Sequence, residues 1–457
     1  MSAILAAEGT GKRKWIYPLI RKGKYYKWRS AISYVYLLFF FAGPFIRIGG
    51  EPLLLLNFPE RHFVIFGQSF WPQDIFLFML ASLVALVCIV LFTLAFGRLF
   101  CGWICPQTIF MEMVFRKIEE WIEGDANKRK KLDAGPWTQD KIIKKTVKHV
   151  IFLVVSFLIA HTFLAYVIGS DNLFKIVTEP LSLHIVGFIS IWVFTIVFYL
   201  VYSQVREIVC TVICPYGRLQ SVLIDQDTLV IAYNDVRGEP RGKLSKNADP
   251  FNLKGDCVDC GLCVSVCPTG IDIRKGTQIE CVNCTACIDV CNDVMVKINK
   301  PLDLIGYYSE NMIHKKEKPS FTLRMKAYAG VITILTCVLG YFIFSRSDMD
   351  MTVMRGAGML YQEQPGGYIS NIYNAEIINK TNTDMSVNIR PVDPAVKIRY
   401  IQSSSQVSKG AMVKTVFFVM MPASHIHSTK TDIKLRLYNG DQLKQTVSTS
   451  FVGPINE

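Results

Sequence analysis

The chain has 457 residues, 51% of them hydrophobic, with a mean hydropathy of +0.29 and a formal net charge of +13. That balance excludes a chain built only of soluble domains and points to membrane spans. The positive charge lies beside apolar runs, which speaks against nucleic acid as a partner and for membrane topology.

Residues 1–30 form a basic segment that carries Lys12, Arg13, Lys14, Arg21, Lys22, Lys24, Lys27 and Arg29. Its start lacks the pattern of a cleavable export signal. Apolar runs then predict five membrane helices, at 31–48, 75–96, 147–168, 183–202 and 327–344. Each is near the roughly twenty residues that cross a bilayer. The first is short and interrupted by Gly43 and Pro44. Basic residues alternate between the loops. Arg61 alone follows the first run and Lys175 alone follows the third. Lys128–Lys131 with Lys141, Lys144 and Lys145 follow the second, and Lys315, Lys316, Lys318, Arg324 and Lys326 precede the fifth. The positive-inside rule then places the N-terminus in the cytoplasm and the C-terminal tail outside.

Two thiol elbows punctuate the spans. Residues 101–106 read CGWICP and residues 210–215 read CTVICP, each following a span. The region 31–225 therefore reads as two repeats of two spans, each closed by a C-x3-C-P elbow. Positions i and i+4 share one helix face, so Cys101 with Cys105, and Cys210 with Cys214, can each aim two thiolates at one point. Four such thiolates suit Cu(I), zinc or a further Fe–S cluster. Pro106 and Pro215 are expected to break the helix after the ligands. The segments 107–123 and 216–224 read as amphipathic helices lying on the membrane.

Residues 226–326 carry the strongest signal. Cys257, Cys260, Cys263 and Cys267 are spaced C-x2-C-x2-C-x3-C and followed by Pro268, and Cys281, Cys284, Cys287 and Cys291 repeat that spacing, with Asn292 in place of the proline. In such pairs three cysteines wrap one [4Fe–4S] cluster and the fourth crosses to the other. The expectation is Cys257, Cys260, Cys263 and Cys291 on one cluster, and Cys281, Cys284, Cys287 and Cys267 on the second. Zinc would take pairs of C-x2-C over a longer gap. Two clusters read as an electron-transfer insert of the bacterial ferredoxin type (α+β).

The fifth span, 327–345, leads to a tail at 346–457 without cysteine. Short alternating runs at 387–389, 396–401, 413–420, 433–438 and 443–451, with Asn439 and Gly440 as a turn, predict an all-β immunoglobulin-like sandwich. The whole is a multidomain membrane protein.

Weaker candidates remain. Cys88 and Cys337 sit singly in spans and read as small hydrophobes. His161 and His184 lie toward the outer face and are candidate metal ligands, with helix packing as the plainer role. His149 lies at the inner edge. Met349, Met351, Met354 and Met359, and Met420, Met421, His425 and His427, form soft groups that suit Cu(I) or ordinary packing.

The order of these motifs, with the stretches GRLFCGWICPQT and VCTVICPYGRLQ, resembles the CcoG family, also called FixG or RdxA, over nearly the whole chain. That resemblance implies an accessory role in assembly of cbb3-type cytochrome c oxidase at the bacterial inner membrane. It implies reduction of Cu(II) to Cu(I), with Cys101, Cys105, Cys210 and Cys214 handling copper. The partners it implies are oxidase assembly factors or a copper transporter, and an unidentified cytoplasmic electron donor. A homodimer stays open. Two rival readings differ in class. One is an electron-transfer subunit of a quinol-linked reductase, similar to the NapH and NosR proteins that share the elbows. The other is a copper-binding scaffold whose clusters are only structural. Neither a C-x-x-C-H haem motif nor a glycine-rich dinucleotide fingerprint occurs in the sequence.

Overall fold

The structure is a computed structural model, and it describes residues 15–59, 61–243, 254–356, 360–381, 383–402, 406–426 and 428–454. Met359, His427 and the first basic residues, Lys12, Arg13 and Lys14, lie outside the described residues. The chain forms two compact units. One comprises Met1–Gly43, Leu80–Ala165 and Ser170–Cys337, and the other Pro44–Met79, Tyr166–Gly169 and Val338–Glu457.

Among the described residues, four helices are long and apolar enough to cross a membrane: Ile75–Phe96, Gln139–Ile168, Ile185–Val205 and Leu323–Phe344. The expected first span is displaced. Its helix runs Lys24–Ala42, and residues 43–45 turn into a short 3-10 segment before the strand Arg47–Ile48. Pro44 has no N–H to continue the helix, and its ring clashes with the preceding turn. The start is fixed from a distance: the Asp289 carboxylate accepts from the backbone N–H groups of Tyr25 (3.0 Å) and Tyr26 (2.8 Å). An acidic side chain there satisfies orphan donors and the helix dipole together. Gly23 gives it room, since a Cβ at that position would lie 2.2 Å from Asp289 Cγ.

In the first unit the ferredoxin-like insert has two short helices, Leu262–Ser265 and Ala286–Lys297, beside an antiparallel strand pair, Val230–Tyr233 with Ile305–Tyr308. The two cluster loops repeat each other in backbone conformation. Asp259 and Asn283 have φ of 51° and 53°, and Gly261 and Thr285 have φ of 67° and 64°. Glycine takes this left-handed region freely. A buried β-branched Thr285 takes it only because its surroundings fix it there.

The second unit is all-β apart from helix ends. One sheet runs in the order Lys397–Gln402, Met412–Pro422, Tyr368–Asn379 and Met349–Arg355, with Gln362–Gln364 also on Tyr368–Asn379. The other runs Gln406–Val407, Met385–Pro391, Lys430–Asn439 and Gln442–Val452. The hairpin at Asn439 and Gly440 forms as its sequence implies, with Gly440 at φ 58°. Tyr373, Phe417, Leu435, Leu437 and Phe451 fill the space between the sheets, fully buried. Three further strands, Leu54–Asn57, His62–Ile65 and Gln68–Phe70, belong to this unit. Asp74 holds them to the sandwich through Arg346 (2.5 Å) and Lys380 (2.6 Å).

Candidate functional site

Two cavities lie inside the ferredoxin-like insert. The first is walled by Cys257, Cys260, Cys263 and Cys291 with Val294, Leu304 and Ile305. The second is walled by Cys267, Cys281, Cys284 and Cys287, and Cys263 lines it too. Each thus presents at least four thiols, the donor set of a cubane cluster. Among the described residues no three His, Cys, Asp or Glu side chains are gathered tightly enough to hold a single ion. Thiols spread around a cavity fit a cluster-sized guest better than a lone zinc. Burial pushes Cys281 and Cys291 up to about 12, and Cys263 and Cys284 up to about 11. Such thiols ionise only against a metal's charge.

The elbows form as a structural repeat, with a different geometry from the one expected. Cys101 sits in the helix Leu99–Trp103, but Cys105 is extended and precedes the helix that Pro106 opens. Cys214 likewise is extended, and Pro215 opens Pro215–Leu223. The prolines therefore start the following helices, where a missing N–H costs nothing. In both elbows the second cysteine's N–H reaches back five residues, Cys105 to Phe100 O (3.0 Å) and Cys214 to Val209 O (2.8 Å). π-helical stretches adjoin both, at Ile109–Phe115 and Val209–Ile213. Such wide turns recur at functional sites.

The two elbows face one another. Cys101 interacts electrostatically with Cys105 and Cys214, and Cys210 with Cys105 and Cys101. Burial pushes the Cys210 thiol up to about 12. Cys101 and Cys210 pack in one apolar cluster with Val282 and Cys284, so the elbow thiols adjoin the wall of the second cavity. Close approach there depends on Gly102, where a Cβ would lie 2.4 Å from Val282 O.

Two arginines stitch the elbows to the cluster loop. Buried Arg29 donates to Gly102 O (3.1 Å) and Cys284 O (2.9 Å). Buried Arg98 donates to Cys210 O (3.2 Å) and to Ile279 O. The Arg98 charge favours the thiolates of Cys101, Cys105, Cys210 and Cys281, so it serves both thiol groups. Sequence reasoning passed over both arginines. The available signal was Arg98 inside the stretch GRLFCGW, adjoining the apolar run.

A buried ion network supports the site, and it is built in part on the segment 107–123. The helix Arg116–Glu123 turns Arg116, Glu119 and Glu123 inward. Arg206 forks onto Glu119 at 2.9 and 2.8 Å, Arg129 joins at 3.1 Å, and Lys148 at 3.5 Å. Burial opposes the charge on Glu119, but Arg206, Lys148 and Arg129 outweigh it and hold the carboxyl down at about 2. Arg116 pairs with Glu112 (2.6 Å) and donates to Pro268 O (3.1 Å), tying the network to the loop after Cys267. Arg206 has φ 55°, a strained backbone for a large side chain that the fork onto Glu119 sustains.

The weaker candidates do not converge on this site. His161 Nδ1 bonds to Phe157 O within its own helix (2.9 Å), and His184 Nε2 pairs with Glu179 (2.6 Å). Cys88 and Cys337 stand on exposed faces of their helices. Met349, Met351 and Met421 are core residues of the β sandwich, which removes them from any soft metal site. Met354 and His425 are exposed.

Comparison with known proteins agrees with this division. Residues 205–310 match a family described as a 4Fe-4S dicluster domain. Residues 78–129 and 184–225, which hold the two elbows, match one described as a 4Fe-4S binding domain. Residues 339–454 match the family "IG-like fold at C-terminal of FixG". The chain is 30% identical over 416 residues to nitrogen fixation protein FixG of Rhizobium meliloti, covering 83% of this chain and 79% of that protein. It is 33% identical over 373 residues to protein RdxA of Cereibacter sphaeroides, covering 78% of this chain and 77% of that one. A crystal structure of a FixG-related protein from Vibrio parahaemolyticus matches 23% of this chain and 97% of its own, at 20% identity and a TM-score of 0.20. With ferredoxin-type iron–sulfur domains, apolar helices long enough for a membrane and relatives of this kind over about four fifths of its length, the chain belongs to the FixG and RdxA family of membrane iron–sulfur electron-transfer proteins.

Proposed function

We propose that this protein carries electrons through its ferredoxin-like insert to the elbow thiols, where Cu(II) is reduced to Cu(I) for assembly of a cbb3-type oxidase. The observation that carries this reading is adjacency: Cys101 and Cys210 pack against Cys284 and Val282 in the wall of the second cavity. Cys257, Cys260, Cys263 and Cys291 would hold one [4Fe–4S] cluster, and Cys267, Cys281, Cys284 and Cys287 the other, following the cavity walls. Bound clusters supply one-electron carriers. The chain itself contributes the thiolates, Arg98 between the two thiol groups, and a shell of buried ion pairs that keeps them in register. As substrate, copper would meet soft thiolates that favour Cu(I), so the binding set draws the couple toward reduction.

A second reading of the elbows has its own support, since their segments match a 4Fe-4S binding family. Cys101, Cys105, Cys210 and Cys214 would then hold a third cluster, and copper would be reduced elsewhere on the chain.

The topology we propose has five crossings. Residues near the start bond to the ferredoxin-like insert and its neighbours, as in Arg29 to Cys284 O and Leu19 N–H to Ser265 O. The strands at 54–70 belong to the β-sandwich unit. The helix Lys24–Ala42 connects them, which supports its counting as the first span, with the insert in the cytoplasm and the sandwich in the periplasm.

The test is anaerobic purification with metal analysis, followed by EPR on addition of Cu(II) to the reduced protein. About eight irons per chain, with the reduced-cluster signal lost as Cu(II) becomes silent Cu(I), is the expected result. About twelve irons would assign the elbows to a third cluster. Reduced protein that leaves Cu(II) unchanged would sink the reductase reading.

A further inference from the structure

A second opening lies away from the cysteines. It is a groove of about 570 Å³ lined by Trp137, Ile142, Lys145, Thr146, His149, Val150, Leu153 and Tyr199, between the helices Gln139–Ile168 and Ile185–Leu200. That volume suits a small organic ligand. Its rim is apolar and outward-facing, with Ile142 and Val150 about half exposed. Its floor is polar: the Tyr199 hydroxyl and His149 Nδ1 share a hydrogen bond of 2.9 Å, which leaves the other edge of the imidazole for a ligand. The basic run that precedes His149 sets this floor at the inner edge of the bilayer.

The cation in the lining, Lys145, is already paired with Asp133 (2.5 Å) and Glu123 (3.0 Å). Lys141, over the Trp137 ring, is turned to the backbone carbonyls of Asp133 and Gly135. A neutral ring that gives and takes hydrogen bonds, on an apolar tail, suits the Tyr199–His149 pair and the apolar rim. The wall also leads to the elbows through packed aromatic rings. His149 lies 6.3 Å from Phe152, Phe152 lies 4.8 Å from Phe115, and Phe115 stacks on Tyr202 at 4.4 Å, centroid to centroid. Tyr202 in turn is within electrostatic reach of Cys105 and Cys210. A redox-active ring in the groove would therefore sit at one end of a row of packed rings that runs to Tyr202, on the side of the elbow thiols.

We propose that this groove binds the ring of an isoprenoid quinone or quinol, with Tyr199 and His149 as its hydrogen-bonding pair and the tail in the bilayer. The site deepens the electron-transfer reading by adding a lipid-soluble donor at the elbow end of the thiol array: a quinol there would give two electrons, one at a time, to the oxidised clusters of that reading, release two protons through the His149–Tyr199 pair, and leave as quinone. It does not depend on copper, because chemically reduced protein tests the copper step without any quinol.

The experiment uses the full-length, cluster-loaded protein in phosphatidylcholine nanodiscs, with decyl-benzoquinone as probe and quenching of tryptophan fluorescence as readout. The difference from Trp137→Phe isolates the groove. Saturable quenching is expected, weakened about three- to tenfold by Tyr199→Phe or His149→Leu, as for loss of one hydrogen bond. Val150→Phe, which fills the groove from its exposed rim without adding a tryptophan, should abolish it, with iron content unchanged as the check on folding. Quenching that rises linearly in the wild type, or saturates equally in all three variants, overturns the proposal. Displacement of the probe by phosphatidylglycerol with the same variant pattern would also overturn it, making the groove a lipid-headgroup site.

Discussion

Arg98 is the residue on which the electrostatics of the site turn. It is buried, donates to backbone carbonyls at Cys210 and Ile279, and acts on thiolates of both the elbows and the second cavity. Reduction adds negative charge to a thiolate-ligated centre, so a fixed cation beside it raises the potential. Arg98→Gln should lower the potential of the second cluster and leave the first almost unchanged. A unit charge about 8 Å away at an effective dielectric of about 20 is worth about 2 kcal/mol. Redox titration followed by EPR checks this, and equal shifts in both clusters would contradict it. The twin C-x2-C-x2-C-x3-C motifs made the two groups of cysteines legible at this scale, and the structure sets each group around a cavity. Arg98 was not legible as a partner, because its significance comes from Ile279 and Cys210, 181 and 112 residues away.

At the level of elements, the helix Arg116–Glu123 separates a charged face from an apolar one, as its sequence pattern implies. The structure turns the charges inward, where Arg206, Arg129 and Lys148 converge on Glu119 from other segments, and leaves Trp121 exposed. Periodicity reports which residues share a face and is silent on what that face meets. Glu119→Gln should leave three buried cations short of a counter-charge and cost about 3 kcal/mol or more, as when one partner of a buried pair is removed. The native carboxyl is held down at about 2 against an ordinary 4.5. Its contribution is therefore fully present above about pH 4.5 and is lost as pH falls toward about 2. Thermal unfolding in nanodiscs should show a lower midpoint for the variant at neutral pH, and a gap to the wild type that narrows through that acid window. A gap constant down to pH 3 would contradict the account. The elbows tell the same story more gently: the C-x3-C-P repeat was legible, but not that each proline opens a helix.

For the whole molecule, the five-span topology we propose makes a simple expectation. The tail from 346 onward has no native cysteine, so Ser386→Cys adds one exposed thiol to the β sandwich. A membrane-impermeant maleimide should label it in intact cells, whereas Lys130→Cys should be labelled only after permeabilisation. The reverse pattern would invert the topology.

What the sequence by itself determined is whatever depends on local spacing. The grouping of the insert's cysteines follows from steps of three or four residues, the helix Ile75–Phe96 from an unbroken apolar run, and the hairpin at Asn439 and Gly440 from a turn that only certain residues adopt. Tertiary structure alone decided what depends on segments far apart in the chain. It brought the two elbows face to face, set Gly102 against Val282, made Asp289 the cap of the Lys24–Ala42 helix, and buried Met349, Met351 and Met421 in the sandwich core. The physical reason is that a buried charge or a close backbone approach is stable only with its specific partner present, and one sequence read along its length does not name that partner.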